Sequence, residues 1–445
     1  MQIKFHSDKI RQSVNMSSIS EELALFQPAN KEQAIQRTEW INFRPIGQIS
    51  KGSAIEFVIP GTSNDYVDLA KTRLNIQMRI LKSDGSTVAD DEVAVVNSIL
   101  HSAWRQVDVS IGQKVITTTT GCNYAYKSII DTLLHYGHNP KDSQLQAEGY
   151  FKDEANYFDN APANIGHISR KKITAYGIIA DFEGPIHMDI CQQKRAIPSG
   201  VQISIKLFPS DDSFRLYTET GNNYELEVVD AVLKVCHLKL SPTTLLAHNE
   251  SLKVTPAVYP FWKSDIKTFT ISAGSMMFST DDCFQGQVPH KLIVGFTSSA
   301  AYSGSYSKNP FNFQNFNLNF LEMAVDGTPV PSVAFQPTFQ EITDPDGSIR
   351  QLDVGYVHEY LSLFKNNYPQ VDGNWISRQD YPSGYCLFNF DVCAETNKDL
   401  FSAVRSGHTR LSARFATPLS DPVTLIAYGV FPAEIHIDQT RNVIL

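Results

Sequence analysis

NPFNFQNFNLNFLEMAVDGTPVPS, residues 309–332, is the stretch whose reading decides the fold. Phe311 and Phe313 alternate with Asn312 and Gln314, Phe316, Leu318 and Phe320 with Asn317 and Asn319, and Leu321, Met323 and Val325 with Glu322 and Ala324. A period of two puts apolar side chains on one face of a strand and polar ones on the other. The phase changes twice, which predicts bulges in one long strand bending across a sandwich or barrel rim. Asp326-Gly327 then supplies the positive backbone angles of a two-residue hairpin turn. A disordered low-complexity tract would run longer and would not end in such a turn.

The same alternation recurs along the chain. Leu74, Ile76, Met78 and Ile80 form one apolar face, Val107, Val109 and Ile111 another, and Val201, Ile203, Ile205 and Leu207 a third. Near the C-terminus Leu411, Ala413 and Phe415 repeat it, as do Ile435 and Ile437. Antiparallel strands that cover a core with one side read this way. Helical spacing is rare: Tyr126, Ile129, Ile130, Leu133 and Leu134 share one face ahead of Gly137, and Tyr356, Tyr360, Leu361 and Phe364 share another ahead of Pro369.

These elements point to an internal repeat. The hairpin VDVSIGQKVIT around Gly112 precedes the first helix, as LEMAVDGTPVPS around Gly327 precedes the second. Each half also closes alike, with GVQISIKL from Gly200 matched by GHTRLSARF from Gly407. Alternation and repeat together predict two β-sandwich domains. The chain divides into an N-terminal arm at 1–40, a first sandwich at 41–242 and a second at 243–445, the boundary falling in KLSPTTLLAHNESLKV at 239–254. Residues 138–170 read as a long polar loop with scattered aromatics, of a length that is usually functional or lies at a contact surface.

Composition bounds the function. With 445 residues, 42% hydrophobic and 19% charged, the chain buries ample core and exceeds one ordinary domain. Its net charge of −9, with no long Lys/Arg run, argues against a protein that grips nucleic acid directly. The small excess of Lys4, Lys9 and Arg11 over Asp8 reads as a solvated tail. No apolar run suits a bilayer and no leader pattern is present, so the chain is expected to be made and kept in the cytosol or nucleus. Cysteines at 122, 191, 236, 283, 386 and 393 never form Cys-x-x-Cys and read as buried thiols.

Motifs for chemistry are weak. PGTSNDY at 60–66 lacks the Lys of a phosphate loop, and His135 and His138 lack a third ligand at metal-site spacing. DPDG at 344–347 breaks the calcium-loop pattern at Pro345 and reads as a turn. Asp90 with Asp91, and Asp281 with Asp282, read as solvated loop charges. No Gly-x-Ser-x-Gly occurs. The expectation is a protein that is not an enzyme, with no catalytic, cofactor-binding or metal residues, no cofactor and no small-molecule substrate. Tyr302, Tyr306 and Phe311, in a Gly/Ser-rich stretch, are candidate subunit contacts.

CFQGQVPHKLIVGFTSSAAYSGSYSKNPFNFQNFNLNFLEMAVDG, residues 283–327, resembles the major capsid proteins of Polinton (Maverick) elements and adintoviruses, a lineage akin to virophage and adenovirus capsid proteins. ELALFQPANKEQAIQRTEWINFRP at 22–45, FVIPGTSNDYVDLAKTRLNIQMRIL at 57–81, KLSPTTLLAHNESL at 239–252 and GYCLFNFD at 384–391 resemble further family blocks in family order. The resemblance implies an all-β chain of two tandem eight-stranded jelly rolls with a few short helices in loops. It further implies a homotrimeric, pseudo-hexagonal capsomer that tiles an icosahedral shell around double-stranded DNA. The implied partners are neighbouring capsomers and penton or minor capsid proteins, and the implied location is the virion, assembled in the host cytoplasm or nucleus. Two other readings stay open: a minor capsid, vertex or attachment protein, and a carbohydrate-binding β-sandwich with an aromatic groove and two close carboxylates.

Overall fold

The computed structural model describes residues 34–444 except 62–63, 89–92, 118–122, 220, 222, 344–348, 352–353, 365–372 and 393–402. DPDG at 344–347, Asp90, Asp91, Cys122, Cys393 and Pro369 therefore lie outside the described residues. The principal strands, in chain order, are β1 (Ile35–Phe43), β2 (Ile55–Ile59), β3 (Tyr66–Lys82), β4 (Trp104–Ile111), β5 (Lys114–Val115), β6 (Ala180–Pro185), β7 (Ile203–Pro209) and β8 (Tyr224–Leu240). The second half follows with β9 (Ala257–Ile271), β10 (Met277–Thr280), β11 (Lys291–Ser298), β12 (Leu318–Val325), β13 (Thr328–Pro329), β14 (Leu387–Asp391), β15 (Thr409–Phe415) and β16 (Val423–Ile437). The main helices are α1 (Asn123–His135), α2 (Ile165–Thr174), α3 (Pro242–Leu252) and α4 (Val357–Ser362).

Strand order shows the repeat directly. In the first half one sheet runs β1-β8-β3-β6 and the other β2-β7-β4-β5. In the second half the sheets run β9-β16-β11-β14 and β10-β15-β12-β13, the same two orders shifted by eight strands, with Val443–Ile444 added beside β16. All of these pairings are antiparallel. Each half is an eight-stranded jelly roll, in which two facing sheets enclose a core. The edge strands β5 and β13 are two residues long, which limits the open ladder they present.

The alternation read from the sequence becomes the core. Leu74, Ile76, Met78 and Ile80 of β3 are buried, as are Val107, Val109 and Ile111 of β4 and Ile203, Ile205 and Leu207 of β7. One apolar cluster continues from these residues through Leu321, Met323, Leu411 and Phe415 of the second half. The two jelly rolls thus share a continuous core.

Several expectations need correction. Ahead of its hairpin turn, the stretch at 309–332 is two strands and not one bent strand. Phe313–Gln314 pairs with Ser383–Gly384, Phe316 and Asn317 then adopt left-handed angles, and β12 begins at Leu318. The first phase change is therefore a turn, while the second is a register shift between Leu318 and Phe320. Asp326 (φ 49°) and Gly327 (φ 82°) form the expected hairpin turn. Residues 35–40, read as part of the arm, pair with β8 as the start of β1. The stretch 138–170 is not all loop, since α2 begins inside it at Ile165, capped by the Asn164 side chain. The predicted boundary contains α3, whose N-cap Ser241 accepts from Thr244 N–H ahead of Pro242.

Candidate functional site

Helix α1 lies between the two jelly rolls, and this placement explains its chemistry. Asn123 to Leu134 are all buried, so its polar residues are enclosed along with the apolar face predicted from the sequence. A charge in such a place needs a partner. Lys127 Nζ lies 2.8 Å from Asp131 Oδ2 and 3.1 Å from Asp189 Oδ1. The second half completes the cluster: the Tyr428 hydroxyl donates to Asp131 Oδ1 at 2.8 Å, and Ser264 donates through its N–H and its hydroxyl to Asp189. Burial alone would raise the Asp131 carboxyl, but Lys127 holds it down to about 2. Burial likewise opposes charge on Lys127, and Asp131 and Asp189 overcome it, so the pair stays ionised.

A second buried ion pair is anchored on α2. Arg170 of α2 is 2% exposed and donates Nε to Val95 O, Nη1 to Phe151 O and Nη2 to Asp153 Oδ1 at 2.7 Å. Asp153 also accepts from the side-chain amides of Asn97, Asn164 and Asn309, the last from the second half. The Tyr385 hydroxyl donates to Asp153 O at 2.5 Å, and Lys152 pairs with Asp380 at 2.7 Å. Lys141, also buried, donates to Leu133 O and Asn374 O. Burial, with Lys152 adding repulsion, pulls its amine down to about 7. Six of these residue pairs cross from one jelly roll to the other, Asp131 with Tyr428, Asp189 with Ser264, Asp153 with Asn309 and with Tyr385, Lys152 with Asp380 and Lys141 with Asn374, and each is satisfied in only one relative placement of the two.

The three candidate contact residues fall on the same junction. Tyr302 stacks on Tyr126 of α1, with ring centroids 5.4 Å apart. The Tyr306 hydroxyl donates to Tyr224 O at 2.9 Å, while Phe311, 2% exposed, meets Tyr126 and Phe214 edge-on. All three bind the second half to the first within one chain. Tyr302 and Tyr306 remain half-buried.

Other candidates take structural places. His138 meets the Trp375 ring edge-on at 4.4 Å, and His135 Nδ1 lies 3.5 Å from Asp131, so the two do not converge. Asp282 accepts from the N–H groups of Phe284 and Gly286 and shapes a turn. A cleft lined by Phe261, Trp262 and Asp189 has aromatic walls, but Asp189 is its one carboxylate and is already bonded to Ser264 and Lys127. Cys191, Cys236, Cys283 and Cys386 are buried free thiols. Besides the Lys127 and Arg170 clusters, the sequence reading missed a group that the fold assembles from distant segments: His101, Glu148 and His187, all buried, each offering a ligating atom within 4.8 Å of the other two.

No family model matches the chain. A curated relative, uncharacterized protein F54H12.2 of Caenorhabditis elegans, is 23% identical over 431 residues, covering 93% of this chain and 98% of that protein. A chain from the cryo-EM structure of the Sputnik virophage superposes with a TM-score of 0.61 at 10% identity, covering 96% of this chain and 92% of its own. The crystal structure of the mavirus major capsid protein gives 0.55 at 11% identity, over 96% and 93%. The chain has the double jelly-roll fold. The same double jelly roll superposes on PBCV-1 VP54, as fitted into a Sputnik reconstruction, with a TM-score of 0.57 at 9% identity over 94% and 99%.

Proposed function

We propose that this double jelly roll is a major capsid protein, a structural chain and not an enzyme, whose homotrimer forms a pseudo-hexagonal capsomer. The observation that carries the reading is the identical strand order of the two halves, locked together by hydrogen bonds from Tyr428, Ser264 and Asn309 of the second half to the buried carboxylates of the first. Two like lobes in fixed relation give a threefold cluster six similar corners, which is the shape needed to tile a shell. In this reading the lobes are 41–242 and 243–445, and the exposed edges of Tyr302 and Tyr306 face neighbouring subunits. The partners are neighbouring capsomers and penton or minor capsid proteins, and the location is the virion.

The source of the element belongs to the same proposal. The Polinton and adintovirus resemblance of the blocks at 22–45, 57–81 and 283–327 supports that family as the source. The net charge of −9 supports a shell protein that encloses double-stranded DNA without gripping it. Native mass spectrometry tests the assembly: the expected species is three times the 49.8 kDa chain mass, and a monomer stable at micromolar concentration overturns the reading. Negative-stain images of the same sample should show blocks with hexagonal bases.

A further inference from the structure

Inside the first jelly roll, three segments far apart in sequence bring together His101, Glu148 and His187. His101 comes from the helical turn Ile99–Ser102 ahead of β4, Glu148 from the turn Gln144–Glu148, and His187 from just beyond β6. His101 is fully bonded, with Nε2 3.1 Å from Glu148 Oε2 and Nδ1 3.1 Å from the Tyr124 hydroxyl. His187 is not. It is 3% exposed, yet neither ring nitrogen has a hydrogen-bond partner, and Nε2 points toward Glu148 Oε2 from 3.9 Å, beyond bonding range. A buried imidazole bare at both nitrogens, beside a buried carboxylate, lacks a partner that a cation would supply.

The backbone makes room for this arrangement. An added Cβ at Gly184 would stand 2.5 Å from Glu148 Cγ, so the glycine is what admits the carboxylate. Gly149, at φ +79°, ends the turn that carries Glu148 and would strike Ile99 if it bore a side chain.

We propose that His101 Nε2, Glu148 Oε2 and His187 Nε2 bind a divalent transition ion, with Zn²⁺ the best match. Two imidazoles and a carboxylate are zinc ligands, whereas calcium and magnesium sites are built from oxygen alone. Donor atoms around a tetrahedral zinc lie about 3.3 Å apart, between the 3.1 Å and 3.9 Å separations measured from Glu148. Binding needs His101 in the tautomer that carries its proton on Nδ1 and donates it to the Tyr124 oxygen, which leaves Nε2 free for the ion. The Tyr124 hydroxyl is held in place by the His187 N–H, which donates to it at 3.3 Å. The ion would join the turn before β4, the turn Gln144–Glu148 and the segment after β6, and so stiffen the first lobe. The inference does not rest on the capsid reading.

The test uses the full-length protein, unfolded and refolded with equimolar Zn²⁺ or Co²⁺ and then passed through a desalting column. The expected result is about one metal per chain by elemental analysis, visible absorption bands of low-symmetry Co²⁺, and a lower melting temperature after chelation. His187→Asn and Glu148→Gln should each weaken Co²⁺ binding by more than about tenfold, and Tyr124→Phe by about tenfold with the fold retained. Refolded wild type that keeps no metal overturns the proposal. So does metal that both ligand variants retain as tightly as wild type. If the ligand variants fail to fold, the wild-type metal content and the Tyr124→Phe affinity decide alone.

Discussion

The two jelly rolls share a strand order but fasten their long insertions differently. Between β5 and β6 the first half inserts a segment that carries α1 and α2, held by buried charge: Lys127 with Asp131 and Asp189, and Arg170 with Asp153. Between β13 and β14 the second half inserts a segment held by rings. Tyr356 stacks between Phe339 and Tyr381, Tyr360 meets Tyr381 edge-on, and each tyrosine hydroxyl donates to a backbone carbonyl. Rings gain mainly from area and tolerate small changes of shape. Buried ions gain only with every partner in place, so they select one arrangement, and they are placed where one half meets the other. In this protein the directional contacts fix how the lobes relate, while the second lobe's own insertion is closed by packing.

Near-isosteric substitutions should separate the two modes. Arg170→Met leaves Asp153 buried without its cation and should cost about 3–5 kcal/mol in urea unfolding. A cost below 1 kcal/mol would erase the contrast. Lys127→Met strands Asp131 and Asp189 and should cost about 3 kcal/mol, with Asp131→Asn in the same chain recovering part of it. Tyr381→Phe, its counterpart among the rings, keeps the stack and loses the hydroxyl's bonds to Leu387 O and the Cys386 thiol, for about 1 kcal/mol. Arg44→Ala, which breaks an exposed pair with Asp230, should change stability by about 0.5 kcal/mol or less.

Lys141 sharpens the contrast through pH. Its amine titrates near 7 in the folded chain against an ordinary 10.5. Between those values the unfolded chain holds the extra proton, so this group's contribution to stability rises with pH across the window and is constant below 7. Urea midpoints from pH 7 to 10 should therefore show wild type gaining on Lys141→Met. Parallel curves would mean that the amine is not the cause.

Much of this was legible in the sequence because it is local. Leu74 to Ile80 and Ile203 to Leu207 announce their strands by period, Asp326-Gly327 announces its turn, and Tyr126 to Leu134 announce α1. Helix α3 carried its own signal in Ser241-Pro242, and α2 in Asn164, but polar composition masked both. The extent of α4 was overestimated, since it spans six residues. The buried clusters were illegible for a different reason. Asp131 meets Tyr428 and His101 meets Glu148 only after the sheets have closed, and no spacing along the chain records such a meeting. Burial of Lys127 and Arg170 was likewise invisible, because isolated basic residues ordinarily face water.

The hydroxyl that completes the Asp131 cluster lies 297 positions after its acceptor. Synthesis must therefore pass the strand that carries Tyr428 before this last of the named contacts between the lobes can form. The first lobe can fold while the second is still being made, yet a truncated or nascent polypeptide lacks the Tyr428 bond that helps set the lobes' mutual angle.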